Sequence, residues 1–117
     1  MFALAMMKNR LPLTVLCSIA MLSVSQSHAQ QATEIHVTYA NGQFRPSAVQ
    51  APADKPVIFR VKNLDAKAME FESTSLRVEK VVAANSEGII NVRALKPGRY
   101  EFYDDFNDTA RGALTVQ

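Results

Sequence analysis

The sequence predicts an all-β fold, a Greek-key β-sandwich of seven to eight short strands. Three observations carry that prediction. Apolar and polar residues alternate with period two over several short stretches, the pattern of strands with one buried face. Turn formers recur between them, notably Asn41-Gly42, Pro52, Pro56, Asn85, Gly88 and Pro97-Gly98, at the spacing of a sandwich. Finally, Leu95-Lys96-Pro97-Gly98-Arg99-Tyr100 has the form of a tyrosine corner, whose Tyr hydroxyl bonds backbone a few residues upstream and pins a crossover.

Taken in order, residues 34–39 set Ile35, Val37 and Tyr39 against Glu34, His36 and Thr38, a half-buried strand. Asn41-Gly42 turns the chain. Phe44 and Pro46 follow, Pro46 suiting a sheet edge or a strand start, and residues 47–50 form a weak strand. After a turn region at 51–56, residues 57–62 make the clearest strand, with Val57, Phe59 and Val61 on one face. Residues 63–68 are a polar loop. Residues 69–72 alternate again, with Glu70 and Glu72 on the side opposite Phe71. Residues 73–75 are irregular, and 76–82 read as one strand with Leu76, Val78 and Lys80 opposite Arg77, Glu79 and Val81. A turn at 84–88 leads to a strand at 89–95 and the tyrosine corner. A strand at 100–103 delivers Asp104, Asp105 and Asp108 into one acidic loop, and Gly112 restarts the chain as a closing strand at 113–116. No helix of ordinary length is expected, only single helical turns at 73–77 or 105–109.

The 117 residues allow one domain. Residues 1–29 read as a cleaved secretory signal peptide. Lys8 and Arg10 form a basic n-region, residues 11–24 an apolar h-region, and Ser27-His28-Ala29 a cleavage site. The apolar run is shorter than the roughly 20 residues that span a bilayer, so the mature chain, residues 30–117, is expected to be periplasmic and not membrane-inserted. The single cysteine, Cys17, lies in the h-region after Leu16, where a lipoprotein signal wants a small residue. Loss of Lys8 and Arg10 reduces thirteen basic residues to eleven, equal to the eleven acidic ones, which argues against a nucleic-acid partner. Without a mature thiol, and with His36 as the only mature histidine, no Ser/His or Cys/His constellation survives, which argues against hydrolytic chemistry. A blue-copper centre, which needs two His and a Cys, is excluded as well.

Several pieces together resemble a cupredoxin-like periplasmic domain: Phe44-x-Pro46, the run Pro56 to Asn63, Glu70-Phe71-Glu72-Ser73, Glu79-Lys80-Val81-Val82, and the run from Lys96 through Tyr103-Asp104-Asp105-Phe106. The chain is similar to the small cupredoxin of bacterial ferrous-iron transport systems, the FtrB-like proteins, and to the cupredoxin domain of EfeO-type proteins. The resemblance implies a domain over residues 30–117 that binds copper as Cu(II), iron, or both. It implies ferroxidase activity, receipt of iron from a periplasmic iron-binding donor protein, and delivery of Fe(III) to an inner-membrane iron permease. It also implies metal ligands: Glu70 and its companion Glu72, Glu79 of the following strand, and Asp104 with Asp105 in the last loop. Asn107 departs from the pattern, because relatives commonly carry His there, and an imidazole ligand is thereby lost.

In such a sandwich the loop after residue 63 meets the last loop at one pole. That would bring Glu70 and Glu72 beside Asp104 and Asp105, and Glu79 would join if its strand pairs with 69–72. Converging carboxylates repel and raise one another's pKa, a cost that a bound cation removes. All-oxygen donors are hard and suit Fe(III), Cu(II), Mn or Ca over Cu(I). The alternative is a metal-free periplasmic β-sandwich serving as an interaction or assembly module, its acidic residues solvated or docking a basic partner. A copper chaperone would use Met, His or Cys clusters. Met69 is the one thioether beside the carboxylates, and His36 belongs to a polar strand face.

Overall fold

The computed structural model describes residues 31–117; the expected signal peptide, residues 1–29, lies outside the described residues. Nine strands follow in chain order: β1 (Thr33–Ala40), β2 (Gln43–Arg45), β3 (Ala48–Ala51), β4 (Val57–Asn63), β5 (Met69–Ser73), β6 (Val78–Val82), β7 (Glu87–Val92), β8 (Gly98–Asp104) and β9 (Asn107–Val116). They form two facing sheets, one ordered β2-β1-β4-β7 and the other β3-β9-β8-β5-β6. The pairs β1/β4 and β3/β9 are parallel and the rest antiparallel, as a chain that keeps crossing between sheets requires. Among the described residues there is no helix.

The inward residues are those the alternation selects. Ile35, Val37 and Tyr39 of β1, Val57, Phe59 and Val61 of β4, and Met69 and Phe71 of β5 are all buried. Between the sheets Phe44, Phe59, Phe71 and Phe102 pack as one aromatic group, with Phe71 and Phe102 stacked at 5.0 Å and Phe44 edge-on to Phe102 at 5.0 Å. The tyrosine corner is present: the Tyr100 hydroxyl donates to the Lys96 carbonyl at 2.8 Å, fixing the crossover from β7 to β8.

Three expectations are corrected. There are nine strands, not seven to eight, because Gln43–Arg45 pairs with β1 through the Asn-Gly turn. Asn41 and Gly42 both have positive φ, 53° and 67°, the mirror-image turn that matches strand twist. Second, the strand expected over 76–82 begins only at Val78. β5 and β6 form an antiparallel hairpin, so 74–77 must turn the chain; Leu76 is buried from that turn, its N–H donating to Ser73 Oγ at 3.1 Å. Third, the expected acidic loop is a two-residue turn, Asp105-Phe106. Asp108 lies on β9, and the helical turn considered at 105–109 is replaced by strand, because β9 extends its pairing with β8 almost to the turn.

Candidate metal centre

β5 runs between β8 and β6 in the five-stranded sheet. Its register places Glu72 opposite Glu79, Glu70 opposite Val81, Glu72 opposite Tyr103 and Phe71 opposite Asp104. Directly opposed residues project from the same face. Glu70, Glu72 and Glu79 therefore share the outer face, whereas Asp104 projects inward with Phe71. A carboxylate oxygen from each of the three glutamates can be chosen so that all lie within 4.8 Å of one another. Among the described residues none of the three forms an ion pair with Lys or Arg.

Glu70 is only 8% exposed although it faces outward. Its carboxyl is pushed up to about 7, first by burial, then by the carboxylates of Glu72 and Glu79 within hydrogen-bonding reach, and further by the charges of Glu79 and Asp105. Glu34 on the other sheet is the contrast: the Arg60 guanidinium, 3.1 Å away, holds that carboxyl below its usual range. Three acids gathered without a cation raise the cost of charging one of them.

Asp104 is 2% exposed and both its oxygens are engaged. Oδ1 accepts the backbone N–H of Glu70 at 2.9 Å and that of Phe106 at 3.0 Å, and Oδ2 accepts the Tyr39 hydroxyl at 2.5 Å. Burial, then the bond to Asp104 and its charge, raise the Tyr39 phenol well above its usual range, so it remains a donor. The Asp105 N–H donates to the Glu70 carbonyl at 2.9 Å. The same pole is stiffened from below. Buried Asn63 donates to the Lys67 carbonyl at 2.8 Å and accepts the Asp65 N–H at 3.0 Å, while the Asp65 carboxylate accepts the N–H groups of Asn41 and Gly42.

Of the five acidic residues picked from the sequence, Glu70, Glu72 and Glu79 come together and Asp105 stands beside Glu70 near enough to raise its pKa. The Asp104 carboxylate is not with them; it is on the opposite side of the sheet. Met69 is fully buried, so its thioether faces away from the glutamates. His36 is on the other sheet, exposed and 3.6 Å from Glu34. The sequence marks Tyr39, Asn63 and Asp65 only as strand and loop. The available signal for Tyr39 was a hydroxyl at an inward position near a strand end, which must find a partner when buried.

Three carboxylate oxygens that lie within 4.8 Å of one another are near enough to be drawn onto one cation, with bonds of about 2.3–2.6 Å for an ion such as Ca(II). A smaller ion with bonds near 2.0 Å would need the three carboxylates to lie closer together. A blue-copper centre does not fit: among the described residues there is one histidine, His36, and no cysteine.

Two mixed sheets closed by a tyrosine corner, with a cluster of three glutamates on the outer face of one of them, define a cupredoxin-type sandwich. The sequence model of the cupredoxin-like domain family matches residues 13–116; the chain belongs to that family. An uncharacterized protein of Rickettsia prowazekii (strain Madrid E) is 36% identical over 84 residues, 71% of this chain and 67% of that protein. Among solved structures the fold resembles the metal-binding domain of the Cu(I)-exporting P-type ATPase CopA of Streptococcus pneumoniae D39, with TM-score 0.62, 15% identity and coverage of 75% of this chain and 97% of that one. It also resembles auracyanin A, a blue copper protein of Chloroflexus aurantiacus, with TM-score 0.63, 13% identity and coverage of 74% and 100%. At these identities the likeness is one of fold.

Proposed function

We propose that this is a periplasmic metal-binding protein of a ferrous-iron uptake system. It holds iron at Glu70, Glu72 and Glu79, with Asp105 adding negative charge, and hands Fe(III) to an inner-membrane iron permease. The observation that carries the reading is the trio of glutamates within 4.8 Å, without a cationic partner. Anionic oxygen donors bind Fe(III) more strongly than Fe(II), since the higher charge gains more from each carboxylate. Binding would thus favour loss of the Fe(II) electron to an external acceptor such as dioxygen or a copper centre. Family membership supports a metal-binding role; the iron assignment rests on the resemblance of the sequence to iron-transport cupredoxins, and export to the periplasm on the signal peptide expected at residues 1–29.

Isothermal titration of the purified protein with Mn(II), Cu(II) and chelated Fe(III) tests the reading. Binding tighter than millimolar, weakened by Glu70→Gln and unaffected by His36→Ala, is the expected result. No such binding for any of the three ions would leave the acidic face as a docking surface of a metal-free module. Cleavage after Ala29 is checked by the intact mass of the exported protein, which should begin at Gln30.

A further inference from the structure

Glu70 lies where the β5/β8 ladder runs out. Continuing the observed register, Phe71↔Asp104 and Glu72↔Tyr103, places Asp105 opposite Glu70. In an antiparallel ladder such a hydrogen-bonded pair exchanges two backbone bonds. Only one is made here, from the Asp105 N–H to the Glu70 carbonyl, because the chain turns at Asp105-Phe106. The other, from the Glu70 N–H, ends on Asp104 Oδ1 instead. A side chain has replaced the missing carbonyl. That side chain is held by the Phe106 N–H and by the Tyr39 hydroxyl from the facing sheet. Asp104 is thus the piece that joins the two sheets to the backbone of Glu70, and its oxygens point away from the glutamate face.

We propose that Asp104, anchored by Tyr39, is a positioning residue for the cation site: it sets the backbone of Glu70 and takes no place among the metal's own donors. The inference rests on the metal-binding reading above and assigns a part to the last-loop aspartate that differs from ligation. A group that orients a ligand can be replaced by an isostere that makes the same bonds, whereas a ligand cannot lose its charge without loss of affinity. Asparagine at 104 keeps an acceptor oxygen for the Glu70 and Phe106 N–H groups, and its amide can donate to the Tyr39 oxygen after the hydroxyl rotates.

The test is Mn(II) titration of the purified protein, followed by electron paramagnetic resonance, for wild type and the variants Asp104→Asn, Asp104→Ala, Tyr39→Phe and Glu70→Gln. Asp104→Asn is expected to stay within about threefold of wild type with an unchanged bound-Mn(II) spectrum. Asp104→Ala should lose about 10- to 100-fold, the range seen when groups that orient metal ligands are removed, and Tyr39→Phe should fall in the same direction by less. If Asp104→Asn loses as much as Asp104→Ala or Glu70→Gln, Asp104 is a donor and the inference is overturned. It is equally overturned if Asp104→Ala and Tyr39→Phe both bind like wild type. Should Asp104→Ala fail to fold, the comparison of Asp104→Asn with Glu70→Gln and Tyr39→Phe decides. A wild-type protein that binds none of Mn(II), Cu(II) or Fe(III) removes the metal reading itself, and the positioning role with it.

Discussion

Glu70 carries two conflicting demands. Packing at the end of β5 shelters it from water, while Glu72, Glu79 and Asp105 surround it with negative charge. Its folded-state pKa, about 7, lies above the ordinary 4.5. In that interval the unfolded chain has released a proton that the folded chain still holds, so the folded state binds more protons. The contribution of this group to stability is therefore complete below 4.5 and is lost as pH rises through about 7. Cation binding has the opposite sign, because the ion must displace the proton. Mn(II) affinity is expected to rise by about tenfold per pH unit from pH 5 towards pH 7 and to level off above it, the linkage of one proton to one ion. Titrations across that range check it; a flat profile would mean that Glu70 is not among the donors.

At the scale of elements, two contacts hold β8, the strand that pairs with the site-bearing β5. Tyr100 bonds to the Lys96 carbonyl across the corner that starts β8, and Tyr100→Phe should lower stability by about 0.5–1.5 kcal/mol, the net worth of one such bond. Urea denaturation reads that difference directly. Further along the hairpin, the Phe102 ring packs closely against Gly112 of β9, its partner in the ladder. A methyl group there would overlap the Phe102 ring and come within 2.8 Å of the Ser47 carbonyl. Gly112→Ala is expected to cost about 1–3 kcal/mol through overpacking, visible in the same denaturation experiment. The sequence marked Gly112 as the start of a closing strand; the strand in fact begins at Asn107, and the glycine is needed for the close approach of an aromatic ring. The alternation of β1, β4 and β5 was legible because each strand has one face in the core and one in water. β2 was not, because three residues are too few to show a period.

For the whole molecule, the sandwich is a frame that brings β5 and β6 side by side and closes one end with a bond between sheets. A cation that binds only the folded frame should stabilise it, by about 2.7 kcal/mol at a concentration a hundred times its Kd. Differential scanning calorimetry with and without Mn(II) at pH 8 should show a rise in Tm for wild type. Glu70→Gln should show little rise but a higher Tm without metal, since one of the repelling charges is gone.

The amino-acid sequence alone determined the local things. It set the period-two faces that put Glu70 and Glu72 on one side of Phe71, the tyrosine corner within six residues, the Asn-Gly turn, and a stretch from residue 31 to 117 with one histidine and no cysteine for blue copper. Those features depend on neighbours in the chain, whose geometry the backbone dictates. Only the tertiary structure decided which carboxylates meet. Glu79 joins Glu72 through the register of β6 on β5, and Asp104 is turned inward by the register of β8 on β5. Its bond to Tyr39 closes over 65 residues of chain. A shift of one residue in either ladder would send those side chains to the opposite face, and register is set by the packing of distant strands around a shared core.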